Sequence, residues 1–338
     1  MEAILLVGGL GTRLRPLTDD LPKPMLPVGG VPLVVHQIAR AREVGVDHVV
    51  LATSYRAEVF ADALGEGTDV GVRVDYAVEE EPLGTGGAIR NAACHLSAAA
   101  GEPVLVFNGD IVDGHDLPAQ LKAHADARAD VSLYLTRVDD PRAFGCVPTD
   151  GRGMVTAFME KTLQPVTDQI NAGCYVFRRS VIDAIPTGRA VSVERETFPA
   201  LLAAHAVVVG IVDDAYWRDL GTAKAYVRGS ADVVLGRVDA PARPGPAGPA
   251  LVLAGAVVIG DAHLSGGTSV SAGCRVGAGS TVHGSVLMDG ARIGDGAVVR
   301  SSAVGRGARI GTGAVVDRAV VAAGAAIGPG ERLGPAWQ

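Results

Sequence analysis

Glycines and cationic side chains share the first loop of the chain, which reads VGGLGTRLRP after the apolar run Ala3–Val7. Successive backbone N–H groups in a glycine turn can point at phosphate oxygens, and Arg13 and Lys23 would add full positive charges. A tight turn with a surface arginine would have the same sequence. The loop therefore predicts either an anion site or an ordinary turn, and the rest of the chain must decide between them.

The spacing of the glycines excludes two common phosphate-binding loops. A Walker A loop ends in Gly-Lys-Ser or Gly-Lys-Thr, which this loop lacks. A dinucleotide fingerprint reads G-x-G-x-x-G, but Leu14 stands where a third glycine should follow Gly9 and Gly11. A phosphate site formed by Gly8 to Thr12 would therefore be of another kind.

Lysine is rare in this chain, because Lys23, Lys122, Lys161 and Lys224 stand against 26 arginines. Lys23 and Lys161 lie in the compact motifs PKPM and MEKT. A compact ammonium group binds phosphate as a point charge, whereas arginine offers a planar fork. This usage favours functional roles for Lys23 and Lys161, with chance placement as the alternative.

Seven motifs occur in an order that resembles the sugar-1-phosphate nucleotidylyltransferases, the pyrophosphorylases that make nucleotide sugars. The motifs are VGGLGTRLRPLT with LPKPM, EEEPLGTGGA (79–88), FNGD (107–110), FGCV (144–147), MEKT (159–162), NAGCYVF (171–177) and YWRDLGT (216–222). The resemblance covers the full chain. Within the family the sequence is most similar to the mannose-1-phosphate guanylyltransferases, which implies GTP and mannose-1-phosphate as substrates and Mg²⁺ as the cofactor.

The resemblance implies that an oxygen of a sugar-1-phosphate attacks the α-phosphorus of a nucleoside triphosphate and expels pyrophosphate. A phosphate monoester has its second pKa at about 6, so the nucleophile is already an anion and needs no general base. The sequence fits this chemistry, since it has no G-x-S-x-G elbow and no evident Ser-His-Asp set. Catalysis should then depend on positioning two polyanions and neutralising their charge.

The same resemblance gives roles to residues in the motifs. It implies that Arg13, Lys23 and Asp110 are catalytic and that Asp110 and Asp219 bind Mg²⁺, whose preferred ligands are oxygens. The residues implied to bind the nucleotide are Gly8, Gly9, Gly11, Thr12, Arg13, Glu79, Gly84 and Thr85. The residues implied to bind the sugar phosphate are Gly145, Glu160, Lys161 and Asn171. Asn-Gly-Asp and Asp-Leu-Gly are ordinary turn sequences when taken singly, but two aspartates in the family order favour the metal role.

Three consecutive acidic residues precede the Leu-Gly-Thr turn that resembles the base-binding loop of the family. Guanine offers N1–H and N2–H₂ donors, and one carboxylate can accept from both. Glu79 is favoured over Glu80 and Glu81 by its distance from Gly84. A solvated acidic loop is the alternative interpretation.

The first two thirds of the chain alternate short apolar runs with amphipathic stretches of helical length. The pairs are AILLV with VPLVVHQIARAREVG, HVVLATS with AEVFADAL, and PVLVFNGD with LPAQLKAHADARA. This alternation predicts an α/β fold with a mostly parallel, Rossmann-like sheet, which we place at residues 1–236. Ligands of such sheets bind beyond the carboxyl ends of the strands, where the VGGLGTR and FNGD segments would lie.

Residues 237–250, rich in Pro, Ala and Gly, read as a linker, and a 17-residue repeat follows over 251–338. Within the repeat, aliphatic residues recur at steps of six, six and five, as in Leu287, Ile293 and Val299. Three short strands per turn with glycines at tight corners describe a parallel β-helix, and the pattern resembles the left-handed hexapeptide-repeat type with about five coils. It also accounts for the 45 glycines.

The overall charge and the cysteines limit the possible partners. A net charge of −7 and a pI near 5.6 argue against binding to nucleic acid or to anionic membranes, and no apolar run approaches the length of a membrane span. The four cysteines are scattered, and no leader-like segment opens the chain, so we expect reduced thiols and a cytoplasmic location. Flat β-helix faces and open ends predict a homo-oligomer, either a dimer or a tetramer.

Three alternatives stay open at this point. The same reaction could use glucose-1-phosphate or a cyclitol phosphate, with ATP, UTP or dTTP, because sugars that differ at one hydroxyl are separated by pocket geometry. The β-helix could carry an acyltransferase, although His263 and His283 have no evident catalytic companion. The chain could also be a nucleotide-sensing regulatory subunit, although its charged residues in the motifs are those expected of an active enzyme.

Overall fold

The computed structural model describes residues 1–54, 56–159, 161 and 163–337. The chain divides into two compact units. The first consists of Met1–Gly9 and Gln37–Trp217, and the second of Leu10–His36 and Arg218–Gln338. The domain boundaries at residues 236 and 250 stay a prediction.

The strands before the repeats are short and mostly apolar. They are β1 (Glu2–Leu6), β2 (Pro27–Val28), β3 (Val31–Pro32), β4 (His48–Thr53), β5 (Arg73–Val78), β6 (Pro103–Asn108), β7 (Ile111–Asp113), β8 (Val131–Arg137), β9 (Gln169–Arg178), β10 (Val208–Val212) and β11 (Trp217–Asp219). The runs AILLV, HVVLATS and PVLVFNGD therefore supply strands β1, β4 and β6, which confirms the predicted strand positions.

A seven-stranded sheet forms the centre of the first unit, in the order β10-β8-β9-β6-β1-β4-β5. Strand β9 runs antiparallel to β8 and β6, and the other neighbours in the sheet are parallel. Ile4, Val50 and Val106 are fully buried, which explains why these strands read as continuous apolar runs. The predicted α/β fold with a mostly parallel sheet is confirmed.

Helices occupy the three amphipathic stretches that were predicted, and further helices occur outside them. They are α1 (Leu33–Glu43), α2 (Ala57–Leu64), α3 (Gly84–Ala92), α4 (Leu117–Asp126), α5 (Arg179–Asp183), α6 (Phe198–Ala203) and α7 (Ala223–Val234). Short 3₁₀ helices occur at Thr12–Leu14, Lys23–Met25, Thr68–Val70, Ala93–His95 and Pro141–Ala143. A π-helical turn occurs at Val193–Thr197. Asp116 and Thr222 cap α4 and α7, because each side chain accepts a backbone N–H bond from the first helical turn.

The repeats in the second unit form five coils of three strands each. The strands are β12 (Ala250–Val252), β13 (Val257–Val258), β14 (His263–Ser265), β15 (Thr268–Val270), β16 (Arg275–Val276), β17 (Thr281–His283), β18 (Val286–Leu287), β19 (Arg292–Ile293), β20 (Val298–Arg300), β21 (Ala303–Val304), β22 (Arg309–Ile310), β23 (Val315–Asp317), β24 (Val320–Val321), β25 (Ala326–Ile327) and β26 (Arg332–Leu333). Corresponding strands of successive coils pair in parallel and give three five-stranded sheets.

The register of these sheets follows the repeat. Ile293 pairs with Ile310, and Ile310 with Ile327, so residues 17 apart lie directly above one another. Ile293 and Ile310 are buried in the core of the coils together with the alanines of the corners, such as Ala291 and Ala308. The parallel β-helix predicted from the spacing of aliphatic residues is confirmed, and its stacked parallel strands are consistent with the left-handed type that the repeat resembles.

Within the described part of the chain, no helix combines the length and the apolar character needed to cross a membrane. The four cysteines are free thiols, of which Cys146, Cys174 and Cys274 are buried and Cys94 is exposed.

Candidate active site

The sheet reverses its direction of winding at the adjacent strands β1 and β6. The chain passes from β1 outward to β4 and β5 on one side and then places β6 on the other side of β1. Gly8 and Gly9 follow β1, and Asp110 follows β6. The turn after β6 is held at this point because the Gly109 N–H donates to the Leu6 carbonyl at 2.9 Å. Ligands of open α/β sheets bind at such switch points, so these three residues lie at the expected place in the first unit.

Glu79 organises the segment that follows β5. Its Oε2 accepts the Leu83 backbone N–H at 3.0 Å, and its side chain is only 9% exposed, whereas Glu80 and Glu81 are exposed. Burial raises the pKa of the Glu79 carboxyl, and the Leu83 hydrogen bond opposes that shift. Glu79 is thus the one of the three acidic residues that is built into the turn.

Gly84 is the first residue of α3 and packs against the segment around Val191, which also belongs to the first unit. The Val191 N–H donates to the Leu83 carbonyl at 2.8 Å, and the Gly86 N–H donates to the Val191 carbonyl at 2.8 Å. Gly84 has a φ of +68°, and a Cβ there would lie 2.7 Å from the Val191 oxygen. The glycines of the LGTGG sequence are therefore required by the close approach of residue 191, a contact that the sequence did not reveal.

Thr85 adds hydrogen bonds to Val193 and Glu194, which follow Val191 by two and three residues. Its Oγ1 accepts the Val193 N–H at 3.0 Å and donates to Glu194 Oε2 at 3.1 Å. The Ser192 hydroxyl donates to the same Glu194 oxygen at 3.0 Å. One carboxylate oxygen of Glu194 is thus held by two hydroxyl groups, each from a different segment.

A cavity of about 450 Å³ in the first unit brings several predicted residues together. Its lining residues are Thr85, Asn108, Phe144, Gly145, Cys146, Val147, Phe158, Met159, Lys161, Asn171, Ser192, Glu194 and Arg195. The predicted sugar-phosphate residues Gly145, Lys161 and Asn171 therefore line one cavity, together with the predicted nucleotide residue Thr85. Glu160 was predicted to bind the sugar as well, and it lies outside the described residues.

An isolated antiparallel bridge joins the FGCV and MEKT motifs. Cys146 and Met159 exchange two backbone hydrogen bonds, at 3.0 and 2.9 Å. The Phe144 ring contacts Trp217 edge to face at 5.5 Å between centroids, and the Trp217 Nε1–H donates to the Ala172 carbonyl at 2.9 Å. These contacts link four motifs, of which FGCV, MEKT and NAGCYVF contribute residues to the cavity lining.

An irregularity in β9 directs Asn171 toward the cavity. The register between β8 and β9 shifts at this point, since Leu133 pairs with Tyr175 but Leu135 pairs with Asn171. Asn171 Nδ2 donates to the Tyr175 hydroxyl at 2.7 Å, and its Oδ1 accepts the Gly173 N–H at 3.1 Å. Bulges of this kind are common beside active sites because they redirect side chains.

The other predicted residues lie in the second unit, where Lys23, Asp219 and Arg13 form a polar group. Lys23 is only 8% exposed, and its Nζ lies 3.5 Å from Asp219 Oδ1. The same oxygen accepts the Gly221 N–H at 2.7 Å. A Cβ on Gly221 would lie 2.7 Å from Arg13 Nη2 and 2.9 Å from Asp219 Oδ1, so Gly221 leaves room for both side chains. A buried lysine needs such a counter-charge, and Asp219 supplies it.

The loop that carries Gly11, Thr12 and Arg13 folds back on itself within the second unit. The Thr18 hydroxyl donates to the Gly11 carbonyl at 2.9 Å, and a Cβ on Gly11 would lie 3.2 Å from Lys23 Cβ. Thr12 and Arg13 are exposed. The loop therefore presents a hydroxyl and a guanidinium to solvent close to the buried Lys23.

The resemblance implies a Mg²⁺ site, for which Asp110 and Asp219 are the predicted protein ligands. Among the described residues, no three His, Cys, Asp or Glu side chains form a group that could hold a metal ion. Asp110 lies in the turn that follows β6, Asp219 is the last residue of β11, and both carboxylates are partly exposed. Each of them suits a hard cation that takes most of its ligands from water and substrate phosphates, as Mg²⁺ does.

The sequence did not identify several residues of the cavity wall. Asn108 and Phe144 belonged to quoted motifs but received no role, and Ser192, Glu194 and Arg195 lay in the segment SVERET, outside the motifs. A short run of charged residues was the available signal, and it is weak because such runs are usually solvated.

Comparisons with known proteins agree with this geometry. The family model described as nucleotidyl transferase matches residues 2–234, and the model described as GMPPB C-terminal domain matches residues 247–333. A mannose-1-phosphate guanylyltransferase of Mycobacterium tuberculosis is 52% identical over 290 residues, which are 86% of this chain and 80% of the relative. Mannose-1-phosphate guanylyltransferase 1 of Arabidopsis thaliana is 38% identical over 231 residues, which are 68% of this chain and 63% of the relative.

A solved structure with a similar fold is HddC from Yersinia pseudotuberculosis. It is 31% identical with a TM-score of 0.59, and the match covers 69% of this chain and 99% of HddC. A second HddC structure, complexed with GMP-PN, matches with a TM-score of 0.58. Since the family model covers most of the chain and the motifs occur in the family order, the chain belongs to the nucleotidyl transferase family, among the sugar-1-phosphate nucleotidylyltransferases.

Proposed function

We propose that this protein is an enzyme that transfers GMP from GTP to mannose-1-phosphate and produces GDP-mannose and pyrophosphate. The observation that carries the proposal is the cavity lined by Thr85, Gly145, Lys161 and Asn171. Its volume suits a sugar phosphate, and its lining combines the cations Lys161 and Arg195 with the Glu194 carboxylate and neutral hydrogen-bonding groups. A phosphate group requires a cation, and sugar hydroxyls require hydrogen-bonding groups.

Two relatives support the choice of substrates. The Mycobacterium tuberculosis relative is named for mannose-1-phosphate and a guanylyl group, and it is similar over most of both chains. The HddC structure was solved with GMP-PN. Glucose-1-phosphate, a cyclitol phosphate or another triphosphate would use the same chemistry, and the experiment below separates these possibilities.

In the proposed reaction, Lys161 binds the sugar phosphate and holds one of its oxygens toward the α-phosphorus of GTP. A bond forms between that oxygen and the α-phosphorus as the bond from the α-phosphorus to the bridging oxygen of pyrophosphate breaks. The leaving group takes the electron pair of the broken bond. No proton has to move from the nucleophile, because a phosphate monoester with a second pKa of about 6 is mostly dianionic at neutral pH.

On the nucleotide side, the exposed Arg13 binds phosphate oxygens and the buried Lys23 neutralises charge on the α-phosphate. The backbone of Gly8, Gly9 and Gly11 and the Thr12 hydroxyl donate hydrogen bonds to the triphosphate. Lys23 already has a carboxylate partner in Asp219 at 3.5 Å, so its position is fixed before the triphosphate binds. Such preorganised charge costs little reorganisation during the reaction.

Nucleotidyltransferases of this family generally use a divalent metal ion, and we propose Mg²⁺ with Asp110 and Asp219 as its protein ligands. Bound Mg²⁺ would neutralise charge on the α-phosphate and on the departing pyrophosphate. Metal removal by EDTA should abolish turnover, and Mg²⁺ should restore it. Activity that survives complete metal removal would contradict this part of the proposal.

The decisive experiment measures pyrophosphate release in a matrix of GTP, ATP, UTP and dTTP against mannose-, glucose-, galactose- and N-acetylglucosamine-1-phosphate. We expect the highest kcat/KM with GTP and mannose-1-phosphate. Asp110→Asn should lower that value by about 10²-fold or more, the scale of losing one preorganised charge contact. Asp139→Asn, which removes the same charge from an exposed position, is the matched control and should keep full activity.

Other outcomes would change the proposal in defined ways. Release with another pair of substrates would keep the chemistry and overturn the choice of sugar or base. Nucleotide binding without release from any pair would favour a cyclitol phosphate substrate or a regulatory subunit. Release of a thiol from acetyl-CoA in the presence of a sugar phosphate would instead support acyl transfer on the β-helix.

We also propose that the protein acts in the cytoplasm as a homo-oligomer, a dimer or a tetramer. The flat faces and the open ends of the β-helix, where Val257 and Val258 are exposed, support self-association. Light scattering at micromolar concentration tests this, and a monomeric mass would contradict it.

A further inference from the structure

The turn at residues 83–87 and the cavity wall at 191–195 share one hydrogen-bonded connection through Thr85. Backbone bonds join Val191 to Leu83 and Gly86, and the Thr85 side chain bonds to the Val193 N–H and to Glu194 Oε2. The two segments are 109 residues apart at the Thr85–Glu194 pair. A displacement of the turn must therefore move the Glu194 carboxylate or break its hydrogen bond.

The Glu194 carboxylate belongs to the lining of the proposed substrate cavity. It lines the cavity with Lys161 and Asn171 and is partly exposed there. Ionised carboxylates accept hydrogen bonds only, and sugar hydroxyls are good donors. Two hydroxyls already bond to Oε2, which fixes the plane of the carboxylate and leaves hydrogen-bond capacity for a further donor.

We propose that Glu194 accepts a hydrogen bond from a hydroxyl of the sugar phosphate, and that Thr85 couples this contact to nucleotide binding. The inference rests on the proposed function, because it places the nucleotide at the turn and the sugar in the cavity. When a nucleotide orders the turn, Thr85 holds Glu194 in the orientation that receives the sugar. Thr85 is thus a positioning residue, and the nucleotide and the sugar phosphate bind cooperatively.

Cooperativity between two ligands is a coupling free energy and must be reciprocal. We expect the nucleotide to tighten sugar-phosphate binding by about fivefold or more, within the range usual for coupled sites. The sugar phosphate must then tighten nucleotide binding by the same factor. Calorimetric titration of each ligand, alone and with the other present, measures both factors. A GTP analogue with a non-cleavable α–β bridge prevents turnover, and the sugar phosphate is the best substrate of the matrix experiment.

Thr85→Val removes the hydroxyl and retains the branched shape. We expect the coupling factor to fall toward one, while the affinity for each single ligand changes less than the coupling does. Thr85→Ser keeps the hydroxyl and should keep the coupling, which separates the hydrogen bond from general damage to the turn. A Thr85→Val protein that retains the full coupling factor would overturn the proposal.

Ser192→Ala is the matched control, because Ser192 bonds to the same Glu194 oxygen but lies on the cavity segment itself. It should weaken sugar-phosphate binding and leave the coupling factor in place. Glu194→Gln should weaken sugar-phosphate binding and also lower the coupling. Adding Thr85→Val to Glu194→Gln should lower the coupling no further, as expected of residues that act as one unit.

The outcomes separate failure of this inference from failure of the proposed function. If the wild-type protein binds both ligands and releases pyrophosphate but shows no coupling, only the inference fails. If it binds no sugar phosphate of the matrix, the inference and the proposed function both fail.

Discussion

The cavity of the first unit and the coils of the second are built in opposite ways. From the second coil onward, residues 17 apart lie in register, so that Ile293, Ile310 and Ile327 repeat one contact. In the cavity each contact occurs once and joins distant segments, as Thr85 joins Glu194. Stability in this chain is therefore distributed over repeats, whereas chemistry depends on single contacts. Substitutions in the two regions should therefore have different signatures.

The largest effect on stability is expected in the core of the coils. Ile310 is 2% exposed, and Ile310→Ala should lower the free energy of unfolding by about 3 kcal/mol, because it removes buried methyl groups and leaves a cavity. Urea unfolding followed by circular dichroism measures this change. The kcat/KM for pyrophosphate release should stay near the wild-type value under native conditions.

Arg309→Ala is the control for the core substitution, since Arg309 precedes Ile310 on the same strand but is exposed. It should change the free energy of unfolding by no more than about 0.5 kcal/mol. Equal losses for the two substitutions would contradict the assignment of Ile310 to the interior of the coils.

At Lys161 we expect a loss of activity with little change in stability, the reverse of the effect expected at Ile310. Lys161→Met should lower kcat/KM by about 10²-fold, because the phosphate of the sugar loses its cation in the cavity. Thermal melting should be nearly unchanged, since Lys161 is exposed. Lys122→Met removes a lysine from the surface of α4, where Lys122 pairs with Asp126, and should leave kcat/KM unchanged. A loss of stability that accompanies the loss of activity would contradict the expectation that substitutions in the cavity affect activity alone.

A smaller and more selective effect is expected at Glu79. Glu79→Gln can still accept the Leu83 N–H, so the turn should persist, but the carboxylate for guanine is lost. The ratio of kcat/KM for GTP to that for ATP should fall by about tenfold, the scale of a hydrogen bond to a charged group. Glu80→Gln changes an exposed neighbour and should keep the ratio.

The pH dependence of the preference for GTP over ATP provides a second test of Glu79. Burial raises the pKa of its carboxyl, so acidification should protonate Glu79 at a higher pH than an ordinary glutamate. The neutral form cannot accept from both guanine donors through a carboxylate, and the preference for GTP should therefore decline on acidification. In Glu79→Gln that decline should disappear. An equal loss for GTP and ATP in Glu79→Gln would leave Glu79 only the role of supporting the turn.

The difference between repeated and single contacts also determined which features were predictable from the sequence. The spacing of Leu287, Ile293 and Val299 predicted the coils because periodic contacts appear as periodic residues. The motifs predicted Gly145, Lys161 and Asn171, which line one cavity. The sequence did not reveal that the glycines of LGTGG make room for Val191, or that Glu194 faces Thr85. Both contacts join segments about a hundred residues apart, and no local pattern records such a pairing.

The smallest effect is expected on one outer face of the coils. Arg275 pairs with Arg292, and Arg292 with Arg309, so three exposed arginines stand in register. Like charges on adjacent strands about 4.8 Å apart repel one another. Arg292→Thr should therefore raise the free energy of unfolding by about 0.5 kcal/mol at low ionic strength. The gain should vanish in 1 M salt, where screening acts over about 3 Å.

Arg300 provides the matched control for this ladder, because its neighbours in register are His283 and Asp317. Arg300→Thr removes an attraction to Asp317 and relieves no repulsion between arginines, so it should leave stability unchanged or slightly lower. The repeat that stabilises the coils also places arginines in register. Opposite changes in the free energy of unfolding for Arg292→Thr and Arg300→Thr would show that this repulsion is destabilising. Equal effects would mean that the β-structure preference of threonine, and not the charge in register, sets the result.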